Sequence, residues 1–209
     1  MAGKLFNPKN QLLTPAELQD ILQCSDNLPQ TLHFRNLDLY QTAFTHKSYT
    51  WERHQEQFRS LGGFVPPGCV PLQSNSNKEL EWIGDAVLQL VVAELLLERY
   101  PDLGNESGIG KLTQMRIAVV TNKAFGLVAQ DLAFDELLLI DCNLEHNNGG
   151  RKNLELLGDC FEAFVGALYR DLGVDACRTW LAEVLRDSMD AAAVSCGVYR
   201  RQAAGSNVG

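Results

Sequence analysis

The chain has 209 residues, 18 Lys and Arg against 26 Asp and Glu, a formal net charge of −8 and a pI near 5.0. A chain of this length buries roughly 70% of the surface its unfolded form exposes, so one domain can hold together without disulfides or a structural metal. The acidic balance counts against a nucleic-acid partner, because phosphate binding leaves a basic footprint, although net charge does not say where the carboxylates sit.

The N-terminal stretch MAGKLFNPKNQ has no basic-then-apolar signal pattern, and residues 1–13 read as a tail. Thr14-Pro15-Ala16-Glu17 opens a helix: Thr caps, Pro suits the first helical position, and Glu three residues after the cap returns the hydrogen bond. That helix is expected to end between Cys24 and Leu28. A second amphipathic stretch runs from Leu37 to Ser48, with Thr45-His46-Lys47-Ser48-Tyr49 at its end. From Trp51 to Asn77 the breakers Gly62-Gly63, Pro66-Pro67-Gly68 and Ser74-Asn75-Ser76-Asn77 predict a long surface loop.

Two long helices follow, Glu79–Tyr100 and Lys152–Leu172, the first almost wholly apolar from Ala86 to Leu97 and therefore buried on most sides. Helical periodicity also marks Lys111–Thr121, Asn122–Asp131, a short Asp135–Ile140 and a last Asp175–Ala193. No segment reads as a strand. The prediction is an all-α fold, one domain over residues 14–193 with a polar tail at 194–209. The six cysteines form no CxxC and have no His at ligand spacing, which points to reduced thiols rather than zinc. No apolar run reaches the roughly 18 residues of a membrane span, and the protein reads as intracellular, most simply cytoplasmic.

The oddity is chemical. The most apolar helix begins Leu80-Glu81-Trp82-Ile83-Gly84-Asp85, and the second long helix repeats the string as Leu154-Glu155-Leu156-Leu157-Gly158-Asp159, with Glu162 three residues on. Glu81 and Asp85 share one helical face, as do Asp159 and Glu162. Carboxylates set in apolar helices are costly unless paired, neutralised or bound to a cation. One such pair alone is more often a solvated face or the partner of a nearby Lys. Two pairs, each behind a glycine that admits a close backbone, make a hard divalent ion such as Mg²⁺ or Mn²⁺ an equal contender if the helices pack side by side. The chemistry would then be metal-assisted hydrolysis, most naturally of a phosphodiester.

Asn77-Lys78-Glu79-Leu80-Glu81-Trp82-Ile83-Gly84-Asp85-Ala86-Val87-Leu88 closely resembles the N-E-R-L-E-F-L-G-D-A-V-L signature of the ribonuclease III family. Gly158 to Tyr169 is similar to its second motif, Thr45-His46-Lys47-Ser48 to its upstream T-H-x-S, and Leu112 to Asn122 to the region between. The resemblance implies a divalent-metal-dependent endoribonuclease, its metal ligands and catalytic residues falling on Glu81, Asp85, Asp159 and Glu162. It implies a homodimer cutting double-stranded RNA to 5′-phosphates and two-nucleotide 3′ overhangs. Trp82 stands where the family places an aromatic plug for the partner subunit; the alternative is a tryptophan of its own core. Double-stranded RNA is read by shape and phosphate, and Lys111, Arg116, Lys123, Arg151 and Lys152 are candidate phosphate contacts, Arg116 equally a candidate to hold a carboxylate. His46 is expected to be structural or RNA-contacting rather than a general base.

Three departures stand out. Lys78 replaces the first signature Glu, an accessory position in the family. The 51–77 connector is long and adjoins the site in sequence. The stretch after Gly173 is too short for a double-stranded-RNA-binding domain, so weak intrinsic RNA affinity is expected. The competing reading is a ribonuclease III-like structural or RNA-binding subunit without cleavage activity, against which the intact quartet speaks.

Overall fold

The computed structural model describes residues 5–24, 31–60, 62–147 and 149–198. Among these the fold is all-α. The helices are α1 (Pro15–Leu22), α2 (Leu37–Ala43), α3 (Trp51–Ser60), α4 (Lys78–Arg99), α5 (Ile109–Val119), α6 (Asn122–Asp131), α7 (Phe134–Leu137), α8 (Cys142–His146), α9 (Leu154–Leu172), α10 (Val174–Val184) and α11 (Arg186–Ser195). The only β pairing among the described residues is two isolated bridges, Thr45 with Leu139 and Thr50 with Gln73.

Helix α9 is the axis of the molecule, with α4 and α6 packed most extensively along it and α2, α7 and α10 completing the surround. It can occupy that place because Leu157, Cys160, Phe161, Phe164, Val165 and Leu168 leave almost no polar face in its middle turns, and all are fully buried. Aromatic rings fill the space around it: Phe161 stacks on Phe125 at 5.1 Å, and Phe164 meets Phe134 at 5.1 Å and Trp180 at 5.0 Å. The Trp180 indole N–H donates to the Ile21 carbonyl at 3.0 Å, tying α10 to α1.

Where α4 crosses α9, each helix presents a glycine to the other's backbone. A Cβ built on Gly84 would stand 1.8 Å from the Glu162 carbonyl oxygen, and one on Gly166 would stand 2.1 Å from that of Leu80. The two backbones meet directly, which only glycine permits. Gly158 does the same for α6, its missing Cβ lying where the Asn122 side chain now sits.

The Thr14 cap forms as expected, Thr14 and Glu17 exchanging both bonds of a capping box. The helix it opens ends earlier, at Leu22, and residues 25–30 lie outside the described set. Four further expectations need correction. First, the 51–77 connector begins with α3, whose Trp51 and Phe58 lie on one face at seven-residue spacing and pack edge-to-face at 4.9 Å. Secondly, the N-terminal stretch is not a loose tail from residue 5 on. Leu5 and Phe6 are buried with Tyr49, Val70 and Leu139 in a second small core, and Phe58 packs on Phe6. Thirdly, the Leu37–Ser48 stretch stops being α-helical at Ala43, and a separate 3₁₀ turn, Lys47–Tyr49, follows. Fourthly, the last predicted helix breaks at Leu185 into α10 and α11, which carry the chain to Ser195. Residues 199–209 of the expected C-terminal tail lie outside the described set. Among the described residues no helix is long and apolar enough to cross a membrane.

Candidate active site

The bare contact between Gly84 and Gly166 decides where the carboxylates go. Glu81 and Asp85 lie on α4 within one turn of Gly84, and Glu162 lies one turn before Gly166 on α9, its own carbonyl abutting Gly84. Asp159 follows one turn earlier. The four acids predicted from sequence are therefore brought to one place, and their crowding is legible in their protonation. Burial, reinforced by the charges of Asp85, Glu81 and Asp159, pushes the Glu162 carboxyl up to about 7. Burial likewise raises Glu81, offset in part by its hydrogen bond from Lys78.

Lys78, in the first turn of α4, reaches into the cluster. Its ammonium donates to Glu81 Oε1 at 2.8 Å and Asp159 Oδ2 at 3.1 Å, and stands 2.7 Å from Glu81 Oε2. Burial alone lowers a lysine pKa, but these two carboxylates carry that of Lys78 above its ordinary value. Asn122, the first residue of α6, donates to Asp159 Oδ1 at 2.9 Å and to Glu155 Oε2 at 3.1 Å, holding Asp159 from the α6 side.

Arg116 does not touch a carboxylate. Its guanidinium donates to Gln89 Oε1 at 3.2 Å, and the Gln89 amide donates at 3.4 Å to Asp85 Oδ1, so Arg116 steadies Asp85 through an intermediary that sequence reasoning passed over. The missed signal was spacing: Gln89 lies one turn after Asp85 on the same face of α4. His46 caps the 3₁₀ turn, its Nδ1 accepting from the Ser48 N–H at 3.1 Å, and burial with the nearby Lys47 and Lys78 charges lowers its pKa to about 4. It is a capping histidine at the edge of the site, where burial favours its neutral form. Arg151 leaves the phosphate-contact list. Its guanidinium is spent on Glu145 at 2.8 Å, on Asn10 and on the carbonyls of Asp135 and Leu138. Lys111, Lys123 and Lys152 are exposed.

Trp82 belongs to no core of its own. It is 79% exposed, and its face continues into a mostly apolar groove lined by Ile83, Ala86, Val87, Leu90, Tyr169 and Val174, with Asp85 also on its wall.

The donor set suits a hard divalent cation: carboxylate oxygens from two helices, one of them, Glu81 Oε2, buried and met by the Lys78 ammonium. As they stand, however, no three His, Cys, Asp or Glu side chains among the described residues are arranged to hold a metal ion. The Lys78 ammonium takes up the space between Glu81 and Asp159.

Comparison with known proteins agrees with this architecture. The chain is 36% identical over 154 residues to ribonuclease 3 of Staphylococcus epidermidis, covering 74% of this chain and 54% of that protein. It is 33% identical over 189 residues to a probable ribonuclease 3 of Acanthamoeba polyphaga mimivirus, covering 89% of this chain and 33% of that one. It thus spans about half the length of its bacterial relative. The solved nuclease domain of ribonuclease III from Campylobacter jejuni superposes with a TM-score of 0.61 at 27% identity, over 82% of this chain and 93% of that domain. A second structure of that domain, described by flexibility in a region involved in dimer formation, gives a TM-score of 0.62 over 84% of this chain. Residues 36–188 match the family model described as Ribonuclease-III-like, and the chain belongs to that family.

Proposed function

We propose that the chain is an endoribonuclease that hydrolyses phosphodiester bonds of double-stranded RNA with Mg²⁺, or Mn²⁺, leaving 5′-phosphates and two-nucleotide 3′ overhangs, in an intracellular and most simply cytoplasmic setting. The observation that carries it is the convergence of Glu81, Asp85, Asp159 and Glu162 from two helices onto the crossing where Gly84 meets Gly166. These four residues would hold the ion, which when bound supplies an activated water and stabilises the leaving oxygen. Asn122 orients Asp159, and Gln89 with Arg116 orients Asp85, so the protein's share is to fix the acids in place. Exposed Lys111, Lys123 and Lys152 are the proposed phosphate contacts.

The test is incubation with long duplex RNA at low salt, where phosphate contacts are least screened. Mg²⁺-dependent fragments that vanish in EDTA and in Asp159→Ala, with the helical spectrum of the variant intact, are expected. Duplex binding without fragments would favour the structural-subunit reading.

A homodimer is part of the proposal. An exposed tryptophan beside an apolar groove is the composition of an interface anchor and its socket, and a twofold contact would seat each Trp82 in the other copy's groove. Trp82→Ala is expected to sediment as a monomer where the parent sediments as a dimer. Its thermal midpoint under monomeric conditions should stay close to that of the parent monomer, since the ring contributes little to its own core.

A further inference from the structure

The Lys78 ammonium sits where a cation is most wanted and comes from a position where a cation is least welcome. It occupies the first turn of α4, close to the positive end of the helix dipole, and Asn77 before it offers no side-chain cap. A lysine there would ordinarily turn to solvent. Instead it folds back onto Glu81 in the next turn and crosses to Asp159 on α9, touching carboxylates of both acidic pairs at once. A single positive charge among four acids does not neutralise them.

On the reading of these acids as metal ligands, we infer that Lys78 is a resident counter-ion competing with the divalent cation: loading requires its ammonium to leave Glu81 and Asp159, and this chain binds metal more weakly than it would without the lysine. Three observations support this. The ammonium is bonded to two of the four intended ligands. It stands within 2.7 Å of the buried Glu81 Oε2, pairing that oxygen as well. Among the described residues no three acidic side chains are gathered on a common point. A divalent ion offers twice the charge to the same oxygens and is expected to win, but against an occupied position. The lysine side chain is 42% exposed and has solvent to move into, so displacement needs no movement of either helix.

The test is calorimetric titration of Mn²⁺ into the full chain, into Lys78→Met, which keeps the stem and removes the charge, and into Glu162→Gln as a ligand-depleted control. Expected is a Kd for Lys78→Met lower by about tenfold than that of the parent, with a larger Mn²⁺-induced rise in thermal midpoint. In the absence of metal, Lys78→Met should melt below the parent, because its acids have lost their counter-ion. Equal or weaker Mn²⁺ binding by Lys78→Met, with the parent binding measurably and the control weakened, would overturn the counter-ion role and leave the metal site standing. Absence of binding in all three proteins would overturn both, and the two failures are thereby told apart.

Discussion

Glu162→Gln is expected to melt higher than the parent at about pH 7.5 in EDTA while losing cleavage. The stability gain follows from the crowding at the helix crossing. With its pKa pushed from 4.5 up to about 7, Glu162 holds its proton more tightly in the folded chain than in the unfolded one. Its contribution to stability is therefore fully present below about pH 4.5 and is lost as pH rises through 7, where the folded state must carry a charge its neighbours repel. Glutamine never takes that charge. Because the side chain is only partly buried, the shift is discounted for solvent screening, and the gain is on the order of 1–2 kcal/mol, or roughly 2–6 °C for a chain of this size.

His46 has its pKa lowered from 6.5 to about 4, so its contribution is lost as pH falls from 6.5 toward 4, the direction opposite to Glu162. In the parent the two slopes offset each other across weak acid; in Glu162→Gln the histidine slope stands alone, and the variant's advantage should shrink steadily down to about pH 4.5. Saturating Mg²⁺ should also erase it, by stabilising the parent more than the variant. Cleavage should fall by at least roughly 10³-fold, which corresponds to several kcal/mol of lost charge stabilisation. A variant that melts no higher than the parent in EDTA would mean that the four acids do not repel one another, and persistent cleavage would remove Glu162 from the chemistry.

Gly84→Ala is the substitution expected to damage the fold most. Its Cβ would lie 1.8 Å from the Glu162 carbonyl oxygen and 2.9 Å from the Gly166 nitrogen. Both obstacles are main chain, so no rotamer change relieves the clash and α4 must move off α9. Overpacking of side chains costs about 1–3 kcal/mol, and a backbone obstacle on the central helix places this case on the order of 3–5 kcal/mol, a large part of a typical domain's whole stability. Gly166→Ala meets the Leu80 carbonyl at 2.1 Å and should behave alike. Once one alanine has parted the helices the second has less left to do, so the double variant should cost clearly less than the sum of the two in denaturant titrations. A thermal midpoint for Gly84→Ala within a degree or two of the parent would show that the contact does not set the helix separation.

Gly84 and its counterpart Gly158 also mark how far the sequence could be read. The repeated Leu-Glu-x-(Ile/Leu)-Gly-Asp string was visible because chemistry and periodicity coincide in it: acids every third or fourth residue inside an apolar helix, each group with a glycine. Gly84 and Gly158 both turned out to sit against backbone or side chain of a neighbouring helix. What stayed hidden lies in interactions with no local signature. Helix α3 has strongly polar composition and only Trp51 and Phe58 to mark its face, and the breakers that follow it suggested loop throughout. Leu5 and Phe6 are anchored by partners 43 or more residues away in sequence, Tyr49 the first of them, which no window along the chain can register. Gln89 and Arg116 steady Asp85 as a relay, and a relay is recognisable only once α4 and α5 lie side by side. The same holds for Lys78, which read as a peripheral replacement until its ammonium was located between Glu81 and Asp159.

The helix crossing has one further consequence. Main-chain atoms have no rotamers, so the separation of the two helices that carry the acids is set by groups with no torsional freedom to lose. The anchors of all four side chains are thus in place before any ligand arrives. The entropy that remains to be lost on binding belongs to a few χ angles of Glu81, Asp85, Asp159, Glu162 and Lys78, and the site begins preorganised in its backbone while adjustable at its tips.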